Sequence, residues 1–87
     1  HREDMALMEK TLAEGDREAL RRAAHRIKGA AASVGARPLA KASEDLERHG
    51  LEGREKEILA LAERVRQSSQ EVQRFLELPE ASPGDGA

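Results

Sequence analysis

The sequence predicts an all-α protein, built as an antiparallel up-down-up-down four-helix bundle. Three observations carry that reading. Apolar residues recur at spacings of three and four along four successive stretches, the period of one helix face. Glycine and proline fall between those stretches, where helices stop and start. The composition is also helical: of 87 residues, 37% are charged and 38% hydrophobic, and Phe75 is the one aromatic. Strands favour β-branched and aromatic side chains, so a core rich in alanine and poor in rings suits close-packed helices. A chain this short fills one hydrophobic core.

The first predicted helix, about 2–14, carries Met5, Met8 and Leu12 on one stripe. Gly15 ends it and Asp16 can cap the next, with Glu18 in the first turn. The second, about 17–35, has the stripe Leu20, Ala23, Ala24, Ile27, Ala30, Ala31 and Val34, with Gly35 as a left-handed cap. Pro38 pushes Arg37 out of the helical region and opens the third helix, about 38–49, which turns Leu39, Ala42 and Leu46 inward. Gly50 and Gly53 bracket a short loop. The fourth helix, about 54–78, carries Ile58, Leu61, Ala62, Val65, Val72, Phe75 and Leu76, and Ser68 and Ser69 interrupt that stripe, where looser packing is expected. Short connections favour antiparallel neighbours. The domain is expected to span 1–78, followed by a flexible tail at 79–87 that is punctuated by proline and glycine.

Several function classes are disfavoured. A net charge of −2 with both signs interspersed is no footprint for nucleic acid. Without cysteine there are no disulfides, thiol nucleophiles or thiolate metal sites, which suits a reducing cytoplasm. No two histidines share an i, i+3 or i, i+4 spacing, so no histidine metal pair is visible, and no run is apolar enough to contact a membrane by spanning it. The chain opens directly in helix-like sequence, which raises the expectation of a longer parent protein.

The informative stretch runs from Ala24 to Gly35. At about 100° per residue, His25 lies roughly 160° from Ile27, the centre of the apolar stripe, so its imidazole points away from the core. A neutral imidazole is nucleophilic at physiological pH. Arg21, Arg22 and Lys28 on the same face can offset arriving negative charge. Gly29 removes a side chain beside the ring, and Ala32 and Ala36 keep the face low for a docking partner. A mid-helix glycine costs about 1 kcal/mol relative to alanine, and steric access is the expected compensation. Each residue also has a bland reading, since an exposed histidine among surface charges is common. Read from position alone, the chain is a helical bundle with an exposed histidine. His49, in the last turn of the third helix, is accounted for by the helix dipole.

The run His25-Arg26-Ile27-Lys28-Gly29, followed by Ala30-Ala31-Ala32-Ser33-Val34-Gly35-Ala36 and, downstream, Leu39 and Leu46-Glu47, resembles the signature of histidine-containing phosphotransfer (HPt) domains. It is most similar in style to the C-terminal HPt domains of tripartite hybrid sensor kinases. The resemblance implies a phosphohistidine formed at His25 Nε2 from a receiver aspartate and passed to another receiver aspartate. It further implies Lys28 near the phosphoryl group, Gly29 for receiver access, and Ser33 and Gly35 in supporting roles. Ser33 lies about 80° around the helix from His25, so a hydrogen bond to a carbonyl of its own helix is the expected use of its hydroxyl. By the same resemblance the domain needs no cofactor of its own, with Mg²⁺ held in the partner receiver. A monomer without an ATP site is expected, at the cytoplasmic end of an inner-membrane sensor kinase. Two rivals stand beside this reading. A dimerising kinase module, phosphorylated directly from ATP, should have an acid after the histidine, where Arg26 stands. A non-catalytic helical-bundle interaction module is the other.

Overall fold

The computed structural model describes residues 2–77, and the expected tail at 79–87 lies outside them. Four helices follow one another: α1 (Arg2–Glu14), α2 (Arg17–Ser33), α3 (Arg37–His49) and α4 (Glu55–Glu77). Among the described residues there is no strand.

Local chemistry sets the boundaries. Gly15 and Gly35 adopt φ of 73° and 74°, the left-handed region that glycine enters without penalty. At each, two backbone N–H groups fold back on the helix just ended. Gly15 and Asp16 donate to Leu12 and Thr11, and Gly35 and Ala36 donate to Ala32 and Ala31, the Schellman pattern. Asp16 then accepts from Ala19 N–H at 3.1 Å and caps α2. At α4, Glu57 accepts from Arg54 N–H, half of a capping box.

Ion pairs fix the antiparallel neighbours. Arg26 reaches Asp4 between α2 and α1, Lys28 reaches Glu47 between α2 and α3, and Arg64 reaches Asp45 between α4 and α3. Helix α1 packs on α2, α2 on α3, and α3 on α4, while α1 and α4 approach less closely and are linked through Arg66 and Glu9. Met8, Leu20, Ile27, Leu39, Leu46, Ile58 and Val65 are fully buried at the centre. Alanines 23, 24, 31, 42 and 62 fill the spaces between them, which lets the helices sit close.

Several sequence expectations are corrected here. Helix α2 stops at Ser33, and Val34, expected inside, is 71% exposed. The Schellman turn swings the chain off the helix before that side chain can follow the stripe. Arg37 is the first residue of α3, with Pro38 at the second position. Proline's missing N–H costs nothing there because first-turn donors have no helical partner. The α4 stripe carries through Ser69, which is buried, but Ser68 and Ser69 each line a surface groove, of about 310 and 180 Å³, where the sequence predicts looser packing. Phe75 and Leu76 are 72% and 71% exposed. With 23 residues α4 is about 35 Å long and α3, with 13, about 20 Å, so the last turns of α4 outrun the helix they pack on.

The α3–α4 loop is held by a residue the sequence did not single out. The Arg17 guanidinium donates to the carbonyls of Gly50 at 3.1 Å and Gly53 at 2.9 Å, tying the loop to the start of α2. Gly53 has to be glycine, because a Cβ would sit 2.8 Å from the His49 carbonyl oxygen.

Candidate functional site

His25 sits in the middle of α2, one residue beyond Ala24 and two before Ile27, both fully buried. Its own side chain is 64% exposed. The helix period that drives its neighbours into the core turns this ring to solvent.

Glu47, from α3, organises the ring. Its Oε2 lies 2.8 Å from His25 Nδ1. Its Oε1 lies 2.8 Å from Lys28 Nζ. The lysine contact is an ion pair by distance but falls outside hydrogen-bond geometry, so Oε1 is compensated by charge without a directed bond. The Lys28 ammonium first, and then the His25 hydrogen bond, hold the Glu47 carboxyl below the usual carboxylate range, against burial that pushes it up. An ionised carboxylate only accepts, so Nδ1 carries the proton and donates. In the neutral ring that leaves the lone pair on Nε2, which has no hydrogen-bond partner among the described residues.

The remaining expected site residues take mixed positions. Lys28 is turned onto Glu47 and stays about one-third exposed. Arg21 and Arg22 lie on the His25 face, but both pair with Glu18, at 2.7 and 3.8 Å. A Cβ added at Gly29 would meet nothing within 4 Å, so no packing inside the domain requires glycine there. Ala32 is exposed and extends the low surface. The Ser33 hydroxyl donates to the Ala30 carbonyl at 3.0 Å, and Gly35 belongs to the turn that closes α2. Ser33 and Gly35 thus contact only their own segment. Beside the ring a shallow groove of about 290 Å³ runs between α2 and α3, lined by Arg21, Lys28, Glu44, Glu47 and Arg48.

Glu47 is the site residue that sequence reasoning missed. The Leu46-Glu47 pair was visible as part of a signature, and Leu46 is fully buried. With Leu46 inward, its neighbour falls at the edge of the α2–α3 seam, which was the available signal.

On this four-helix bundle the His25 imidazole faces solvent in mid-helix, with Nδ1 held by Glu47 and Nε2 without a partner among the described residues. The chain matches the family model for the Hpt domain over residues 1–77, and it belongs to that family. No curated protein and no solved structure matches it. Members of the family are phosphocarriers in two-component phosphorelays, interact with receiver domains and are not catalysts in their own right. No described helix is long and apolar enough to cross a membrane.

Proposed function

We propose that this domain takes a phosphoryl group onto His25 Nε2 from one receiver aspartate and delivers it to a second. The observation that carries the reading is the ring's setting: 64% exposed, with Nδ1 engaged by Glu47 and Nε2 without a partner among the described residues. Gly29 adds support. It costs about 1 kcal/mol in mid-helix, and the open space around it means the domain gains no packing in return. The beneficiary is an incoming surface, for which Gly29 and Ala32 leave room.

In this reading the receiver supplies the aspartyl phosphate and Mg²⁺, while this chain needs no cofactor and contributes a positioned nucleophile. Lys28 lies one turn from His25 and can share its charge between Glu47 and an arriving phosphoryl group. The domain works as a monomer, in the cytoplasm, as the terminal module of a hybrid sensor kinase, without binding nucleic acid.

The test is transfer from a receiver carrying labelled phosphate. Label should move to this chain, be lost in acid and persist in base, and be absent from His25→Gln. Circular dichroism of that variant should match the wild type, because the ring lies outside the core. Label retained by His25→Gln would overturn the assignment.

A further inference from the structure

We propose that Glu18 is a positioning residue that stands in for the phosphoryl group: it holds Arg21 and Arg22 while His25 is empty and gives them up when a phosphoryl dianion arrives at Nε2. This rests on the phosphocarrier reading of His25 and adds to it a residue two helical turns away. At about 100° per residue, Glu18 and His25 fall within about 20° of one line along α2, roughly 10 Å apart. Arg21 and Arg22 lie one turn before His25, about 40° to one side of it and about 60° to the other. Cα–Cβ bonds on a helix tilt toward its N-terminus, so the His25 ring leans over the turn that carries the two arginines. Two cations therefore stand between a resident carboxylate and the place where a second anion arrives.

The ion pairs describe the empty state. Glu18 Oε1 accepts from Arg21 Nε at 2.9 Å and from Arg21 Nη2 at 2.7 Å, and the same oxygen lies 3.8 Å from Arg22 Nη1. One carboxylate is shared by two guanidinium groups, and Arg22 is the more loosely held. It is also the more exposed, at 61% against 37% for Arg21, so it is the one free to swing over the ring. The other two cations of this stretch are engaged elsewhere, Arg26 with Asp4 and Lys28 with Glu47. Glu18 itself stands in the first turn of α2, where the helix dipole favours a carboxylate. A phosphoryl group carries about −1.5 to −2 charge at neutral pH, more than a carboxylate, so the arginines turn to it once it is in place. Because they leave one anion to meet another, the net gain in attraction is small. Without Glu18 they would wait unpaired, hold the phosphoryl group more tightly and slow its departure. Glu18 keeps the loaded state from becoming too stable to unload.

The chain can be loaded directly with phosphoramidate, a small phosphoryl donor that needs no receiver, while the arginine ¹⁵Nε signals are followed by magnetic resonance. The Arg22 signal should shift on loading, and should stay in place when His25→Gln is treated in the same way. The partition of phosphoryl between the chain and a receiver is then measured at equilibrium. Glu18→Gln should move it about threefold toward phosphohistidine at low ionic strength, and Arg22→Gln should move it the other way. Both shifts should shrink in high salt, as interactions between exposed charges do. In a chain already carrying Arg21→Gln and Arg22→Gln, the further change Glu18→Gln should lose most of its effect. All of these variants should keep the wild-type circular dichroism, because the three side chains lie at the surface. Arginine signals unmoved by loading, an unchanged partition in Glu18→Gln, or an equal shift without the arginines would each overturn the role of Glu18. An arginine response to phosphoramidate, with no exchange between the chain and any receiver, would uphold that role and overturn the relay reading instead.

Discussion

Among the seams that ion pairs cross, two are built with opposite polarity. Between α2 and α3 a carboxylate, Glu47, stands between two bases, His25 and Lys28. Between α1 and α4 a guanidinium, Arg66, stands between two carboxylates, Glu9 of α1 and Glu63 one turn back on α4. Both central groups are partly sheltered, at 18% and 30% exposure, and each is shifted toward its charged form. For Arg66 the Glu9 hydrogen bond leads, and the shift has no chemical consequence, because a guanidinium does not titrate in the working range. For Glu47 the neighbour is an imidazole, whose other nitrogen has no partner among the described residues. The same device fastens helices at one seam and, in the proposed relay, sets up the phosphoaccepting atom at the other. The partner's chemistry makes the difference.

Substitutions can sharpen that contrast. Gly29→Leu places bulk beside the His25 ring and, if the proposed relay holds, should reduce receiver-to-domain transfer at least tenfold, of order 1.4 kcal/mol. The fold should be undamaged, because nothing lies within 4 Å of the added Cβ. Stability should hold or rise, since leucine is the better helix former. Transfer rates read beside thermal unfolding check both halves, and unimpaired transfer would refute the access argument.

At the opposite seam Arg66→Ala should leave phosphorylation of His25 at the wild-type rate. It should lower unfolding free energy by about 1 kcal/mol or less, as partly exposed ion pairs do. Denaturant titration beside a transfer assay makes the comparison, and a loss of transfer would mean that the two seams are coupled.

The smallest effect concerns acid. Glu47 has a lowered folded value, so its stabilising contribution is complete above the ordinary glutamate value of 4.5 and disappears as pH falls through the lowered one. Asp45, which burial pushes up but Lys41 and Arg64 together pull below its ordinary value, behaves in the same sense. The melting temperature should therefore decline below about pH 4.5, less steeply in Glu47→Gln. Equal slopes in the two proteins would show that Glu47 carries none of the decline.

Much of this fold could be read from spacing. The central stripe of α2, the turn glycines at 15 and 35 and the Asp16 cap are local matters, decided within one or two helical turns. The outward direction of His25 was legible for the same reason, since it needs only the helix period and the apolar run opposite. Position left open what the ring is for, and the motif around it supplied that reading. Failures came where a stripe reached the end of its packing partners. Val34, Phe75 and Leu76 have the right spacing to be core, yet they border an exposed groove of about 310 Å³, over which none of the described helices extends. Periodicity reports which face a residue takes, not whether another helix is there to cover it.

What the sequence determined by itself is the helix pattern and the face on which the histidine stands, because both follow from backbone geometry over a few residues. The tertiary structure alone decided that Glu47, 22 residues along the chain, meets His25 Nδ1, and that Arg17 reaches carbonyls 33 and 36 residues away. Such contacts depend on how two helices are set against each other. Hydrogen bonds act over about 3 Å, so the small offsets that packing fixes between helices decide which of them form.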